Sequence, residues 1–238
     1  MQEVIQVNVL NRDDDEDNKI YELESLINTA GGKSLAYVSQ VVDKVNPRFY
    51  IGKGKVSEIK DLAKKLEVDT VIFDVELSAS QLYNLEEELK LHVVDWTTLI
   101  LDIFALRANT KESRLKIKLA QLKYQLPRLN KWFSYLSRQA GGIGTRGPGE
   151  TMLETDRRAV VRDIKSLEKQ LKDVEKTKRV NRQSRRNIHN ISLLGYTNAG
   201  KSTILNGMMK IFGAEKFVYS DDLLFATLDT STRRLDFS

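Results

Sequence analysis

Over the first hundred residues, short apolar runs alternate with longer stretches whose apolar positions recur every three or four residues. Val4 to Val9 (VIQVNV), Leu35 to Val42 (LAYVSQVV), Thr70 to Val75 (TVIFDV) and His92 to Asp95 (HVVD) have the length and β-branched content of strands. Asp17 to Asn28, Lys55 to Leu66 and Ser78 to Leu89 have helical spacing, the last with Ser78 at the capping position. Strands separated by helices of this length pair in parallel, because each crossover returns the chain to the same edge. The expected fold class is therefore α/β, with a small parallel-sheet domain over residues 1–95.

The pattern then changes. Leu101, Ala105, Ala108, Leu115, Leu119, Leu122, Leu126 and Leu129 follow a 4–3 spacing interrupted at Glu112, and Val160, Ile164, Leu167, Leu171 and Val174 repeat it. Residues 141–150 (GGIGTRGPGE) lie between the two series and are too rich in glycine for a helix. Two heptad helices joined by one loop make an antiparallel helical hairpin, a coiled coil, over residues 96–187. Pro127 is expected to kink or end the first helix near Leu126. From residue 188 onward, Ile188 to Leu194 reads as a strand and Thr203 to Met209 as a helix, the beginning of a second α/β domain over 188–238.

Charge sharpens this division. The chain of 238 residues carries a formal net charge of +5, but residues 1–109 hold −8 and residues 110–187 hold +13. On the second hairpin helix the basic residues include Arg157, Arg158, Arg162 and Lys165, with too few acids to balance them in i, i+4 pairs. An unbalanced basic face fits a polyanion. The loop before it, with small residues and one cation at Arg146, can enter a narrow anionic space. Cysteine is absent, which excludes disulfides and thiolate chemistry and is compatible with the cytoplasm. No apolar run approaches a membrane span.

The most specific chemistry lies at Gly195-Tyr196-Thr197-Asn198-Ala199-Gly200-Lys201-Ser202, which fits G-x-x-x-x-G-K-[ST]. Glycines let consecutive backbone N–H groups curl around a phosphate, the lysine reaches the β- and γ-phosphates, and the serine hydroxyl can ligate Mg²⁺. The strand before it and the helix after it are the context this loop requires. Downstream, Phe225-Ala226-Thr227-Leu228-Asp229 follows an irregular segment, and Thr227 is spaced from Ser202 as a switch threonine would be. Gly52-Lys53-Gly54-Lys55 also has phosphate-binding composition, without the P-loop spacing.

At these residues the chain resembles the HflX family of GTPases, in the Obg–HflX group. The strings that carry the resemblance are GGIGTRGPGETMLETDRR from Gly141, GYTNAGKST from Gly195, FATLDTSTRR from Phe225, YIGKGKVSEI from Tyr50, and LILDIFALRANTKESRLKIKLAQLKYQLPRL from Leu99. Together they span nearly the whole chain. The resemblance implies a GTP- and GDP-binding hydrolase with Mg²⁺ that docks on the large ribosomal subunit, splitting or rescuing ribosomes under stress. It implies that Gly195 to Ser202 hold the phosphates, that Ser202 and Thr227 ligate Mg²⁺, and that Phe225 to Asp229 form the first switch. It also implies that the hairpin and its loop approach ribosomal RNA. A second purine site in the N-terminal domain, for ATP, is implied for Gly52 to Lys55 by this resemblance and not by their composition. The family's D-x-x-G and N-K-x-D segments, which sense the γ-phosphate and read guanine, do not occur after Thr227. A truncated, weakly binding and hydrolysis-deficient GTPase domain is therefore expected, and no catalytic residue is assigned. The alternative function is an RNA-binding module whose nucleotide site is incidental.

Overall fold

The structure is a computed structural model and describes residues 2–140, 148–183, 191–196 and 199–212. Four strands, β1 (Gln2–Leu10), β2 (Gly32–Val41), β3 (Thr70–Phe73) and β4 (His92–Val94), form one parallel sheet in the order β2-β1-β3-β4. Between them lie α1 (Glu16–Thr29), α2 (Lys53–Leu66) and α3 (Ala79–Leu89). The expected α/β class and parallel pairing are both present. Each helix starts where its sequence allows: Asp15 caps α1 through the N–H of Asn18, and Ser78 with Gln81 forms a reciprocal capping box on α3.

Alternation along β1 separates two cores. Ile5, Val7 and Val9 face α2 and α3, packing with Val56, Ile59, Leu85 and Leu89. Val4 and, on β3, Ile72 face the other way, toward Leu23, Leu26 and Ile27 of α1. That second core is completed by Leu99 and Ile103 of α4 (Trp96–Arg107). The sheet is thus covered on both faces, as an all-parallel sheet requires.

The heptad series that begins at Leu101 is not one helix. It divides into α4 and α5 (Lys111–Ala140), with Ala108 extended and the Thr110 hydroxyl accepting the N–H of Ser113 to start α5. Only the later part of the series belongs to the hairpin; Ala105 is exposed, while Leu99 and Ile103, outside the series, are buried. Helix α4 is apolar nearly all round, so an apolar 4–3 spacing can be drawn through it in more than one phase.

Helices α5 and α6 (Pro148–Gln183) form the hairpin. Lys178 pairs with Glu112, and Lys123 with Glu168 at 2.7 Å. Moving up α5 from Glu112 to Lys123 moves back down α6 from Lys178 to Glu168, so the helices are antiparallel. Of the two expected effects of Pro127, a kink or an end, the end does not occur: α5 runs through Pro127 to Ala140. A proline inside a helix costs roughly 3 kcal/mol, and the packing of α5 on α6, α4 and α3 offsets that. The loop residues 141–147 lie outside the described residues.

Candidate nucleotide and polyanion sites

The phosphate-loop sequence leads into α7 (Lys201–Ile211). Gly200 is the N-cap, with φ +77°, a left-handed conformation that a Cβ would strain. Its carbonyl accepts the N–H of Ile204 at 2.9 Å, the first bond of the helix. Gly200 has no side chain with which to cap this terminus, and the positive end of the helix dipole faces the loop. Lys201 Nζ donates to the Tyr196 carbonyl, drawing the cation across the loop. A Cβ on Gly195 would stand 3.6 Å from the Lys201 stem, an ordinary contact. Ala199 donates its N–H to the same Tyr196 carbonyl at 3.3 Å. Ser202 is half-buried in the first turn.

Six of the eight loop residues, Gly195, Tyr196, Ala199, Gly200, Lys201 and Ser202, are therefore placed together. Thr197 and Asn198, Phe225 to Asp229 with Thr227, and Arg146 lie outside the described residues. The expected strand at Ile188 to Leu194 is not formed where it is described. Ile191 to Tyr196 are without regular structure, and Leu194 is 92% exposed. A strand satisfies its backbone only beside another, and among the described residues none pairs with this one.

Arg157, Arg158, Arg162 and Lys165 are exposed on α6 near the hairpin loop. Thr155, Arg157, Arg158, Val161 and Arg162 line an open cavity of about 560 Å³. The apolar face of the same helix turns inward at Ile164, which is buried, and at half-buried Val160, Leu167, Leu171 and Val174. The basic residues thus stay on the surface because the heptad positions hold the opposite face against α5.

At Gly52-Lys53-Gly54-Lys55 the backbone forms the start of α2, with Gly52 as a cap without a side-chain bond and Lys55 paired to Glu58 at 2.9 Å. No helix among the described residues is long and apolar enough to cross a membrane, and no group of acidic or histidine side chains among them is arranged to hold a metal ion.

Sequence reasoning missed one polar cluster, at the junction of sheet and hairpin. The Asp95 side chain is fully buried; its Oδ1 accepts the Thr98 N–H at 3.0 Å and the Thr98 hydroxyl at 2.6 Å, capping α4. Its Oδ2 accepts from the Leu77 N–H at 3.2 Å, from the Tyr124 hydroxyl, and from Arg128 Nη2 at 3.0 Å. Burial and the Asp95 carboxylate push the Tyr124 phenol above its usual range. The only signal in the sequence was an arginine after a mid-helix proline.

A loop of glycine, lysine and serine at the head of a helix, next to an α/β domain and a basic hairpin, defines a P-loop nucleotide-binding protein. Three family models match in succession. They are described as GTP-binding GTPase N-terminal (residues 17–105), GTP-binding GTPase Middle Region (107–185) and 50S ribosome-binding GTPase (190–238). The join between the first two falls at the break between α4 and α5. GTPase HflX of Alkalihalophilus pseudofirmus is 50% identical over 229 residues, 95% of this chain and 53% of that protein. GTPase HflX of Escherichia coli is 42% identical over 237 residues, 99% of this chain and 54% of that protein. Among solved structures, a GTP-binding protein from Sulfolobus solfataricus in complex with GDP is similar at 25% identity and a TM-score of 0.53. The match covers 90% of this chain and 54% of that one. The chain belongs to the HflX family of GTPases, and it spans about half the length of the relatives it matches.

Proposed function

We propose that the chain binds GTP and GDP at Gly195 to Ser202. As part of an HflX GTPase it would act in the cytoplasm on the large ribosomal subunit, with the α5–α6 hairpin against ribosomal RNA. The observation that carries the nucleotide reading is the left-handed Gly200 at the uncapped head of α7, with Lys201 folded over the loop. Lys201 would exchange the Tyr196 carbonyl for phosphate oxygens, and the first-turn N–H groups would hold the β-phosphate. The donor set also fits Mg²⁺: the Ser202 hydroxyl stands one residue after that lysine, with Thr227 as the second protein ligand. Mg²⁺, when bound, neutralises phosphate charge. The GDP complex of the Sulfolobus solfataricus relative supports a guanine nucleotide, and none of the relatives described names ATP.

The polyanion reading is supported by the basic face of α6 and by the family model described as 50S ribosome-binding. Its exposed guanidinium groups would contact RNA phosphates in a salt-dependent way. Ribosome splitting and GTP turnover are properties proposed for the whole protein. The test is co-sedimentation with large subunits, with and without a non-hydrolysable GTP analogue, for the wild type and Lys201→Ala. Binding that needs both nucleotide and Lys201 supports the GTPase reading; equal binding by both proteins in its absence supports an RNA-binding module. No binding in any arm overturns both.

A further inference from the structure

α5 packs on α3 and α4 and Gln121 donates to Asp102 at 3.2 Å, but the buried centre of the junction between hairpin and sheet domain is one carboxylate. Asp95 sits just after β4 and before α4, and Leu77 precedes α3, so both belong to the sheet domain. Tyr124 and Arg128 stand one turn apart on α5. Arg128 makes three connections besides the ion pair with Asp95. Its Nη2 donates to the Leu77 carbonyl at 2.7 Å, its Nη1 donates to the Tyr124 carbonyl at 3.0 Å, and its guanidinium lies 3.4 Å from the centroid of the Tyr124 ring. The arginine side chain is only 15% exposed. Such a set is geometrically exacting, because a planar fork must meet a carboxylate, a carbonyl and an aromatic face together.

The rest of the junction has a different character. The link between α4 and α5 is a short break at Ala108 to Thr110, held locally by Arg114 Nε on the Ala108 carbonyl at 3.1 Å; a short non-helical link is where two helices can change their angle unless contacts elsewhere fix it. The distal half of the hairpin extends past Arg128 to Ala140. A small rotation at the joint would therefore swing the basic end of α6 through a long arc.

We infer that Asp95, Tyr124 and Arg128 form a joint that fixes the angle of the hairpin to the sheet domain, so that the two engage a polyanionic partner as one rigid body. The part concerning the partner rests on the reading that the basic face of α6 binds RNA. Asp95 and Leu77 supply the socket, and Arg128 and Tyr124 supply the peg. These residues position the basic face and do not touch the partner. A loosened joint makes the partner's binding bear the cost of ordering the hairpin, which lowers affinity while every phosphate interaction stays in place.

The absence of cysteine makes the joint directly measurable. Cysteines placed at Tyr21 on α1 and Lys172 on α6, both exposed, take spin labels with no background. Pulsed electron resonance on the full chain is expected to give a narrow distance distribution. Arg128→Gln and Tyr124→Phe are each expected to broaden it about twofold, with the melting transition of the sheet domain retained. Tyr124→Phe changes no charge and removes only one hydroxyl, so it reports on the joint even if Arg128→Gln fails to fold. A distribution that stays narrow in Tyr124→Phe and in any folded Arg128→Gln overturns the joint, whatever the ribosome data show. The second arm is sedimentation with large subunits, where Tyr124→Phe is expected to bind about three- to tenfold more weakly with an unchanged salt slope. Broadening with undiminished affinity overturns the positioning role. If the wild type itself does not bind subunits, the RNA reading falls while the spin-label result still decides the joint.

Discussion

Asp74 Oδ1 accepts the backbone N–H of Val9 at 2.8 Å, tying the end of β1 to the residue that follows β3. Burial pushes the Asp74 carboxyl up to about 6 from an ordinary 3.8, against the opposing pulls of the Val9 N–H, Lys19 and Asn8. Between these two values the folded chain holds a proton that the unfolded chain has released, so stability falls as pH rises through that window. The cost is absent below the lower value and complete above the upper one; it is at most about 3 kcal/mol. Asp74→Asn keeps the acceptor and removes the charge. Urea denaturation is expected to show it more stable than wild type by about 1–2 kcal/mol at pH 8, with the difference vanishing near pH 4. A variant less stable than wild type at pH 8 contradicts this account.

Ile103 is fully buried between α4 and the sheet, whereas Leu106, three residues on, is 66% exposed. Ile103→Ala is expected to destabilise the sheet domain by about 2–5 kcal/mol, and Leu106→Ala by less than about 0.5 kcal/mol. Thermal unfolding of the two variants checks that α4 belongs to the core of the sheet. Equal effects would place α4 elsewhere.

Gly200 has open space around its missing Cβ, so an alanine there meets strain in the backbone and no clash. Gly200→Ala is expected to cost on the order of 1 kcal/mol locally and to weaken nucleotide binding. Lys201→Ala is expected to weaken it at least about tenfold. Titration with a fluorescent GDP analogue measures both. Unchanged affinity in Lys201→Ala would remove the loop from the site.

Charge reversal on α6 separates phosphate binding from fold. Arg157→Glu, Arg158→Glu and Arg162→Glu together are expected to abolish sedimentation with large subunits at physiological salt. Single neutral replacements are expected to lower the salt slope by about 0.7–0.9 for each phosphate no longer neutralised. These positions are exposed, so circular dichroism is expected to be unchanged.

The sheet was legible because parallel strands buried on both faces are nearly continuous apolar runs. β3 ends at Phe73, two residues short of its apolar run; the Asp74 N–H still bonds the Val7 carbonyl at 3.1 Å, and its side chain, not its backbone, accepts the next β1 N–H, that of Val9. The hairpin was legible from α6, whose apolar positions form a single stripe. α4 was not, since an all-round apolar helix does not say which partner it will face. Pro127 does not end α5, because a local rule about one hydrogen bond does not decide where a helix packed on neighbouring elements stops. The turn into α7 was legible from the loop pattern, for the left-handed Gly200 at its head is a place that glycine fills without strain. The joint at Asp95 could not, since its members are far apart in sequence and individually ordinary.

The first strand made is the one at the centre of the sheet. As the chain leaves the site of its own synthesis, β1 is bounded by β2 on one side, then by β3 on the other, with β4 added last. The α2 and α3 side is filled as those helices appear; on the opposite side α1 covers Val4 from the outset, and Ile72 on β3 is fully covered only when Leu99 and Ile103 arrive. Between the emergence of β3 and that of α4 the nascent domain therefore carries part of one apolar face uncovered, and α4 is the segment that ends that exposure. A pause in synthesis before α4 has emerged would prolong that aggregation-prone stage, and a pause after it has emerged would not.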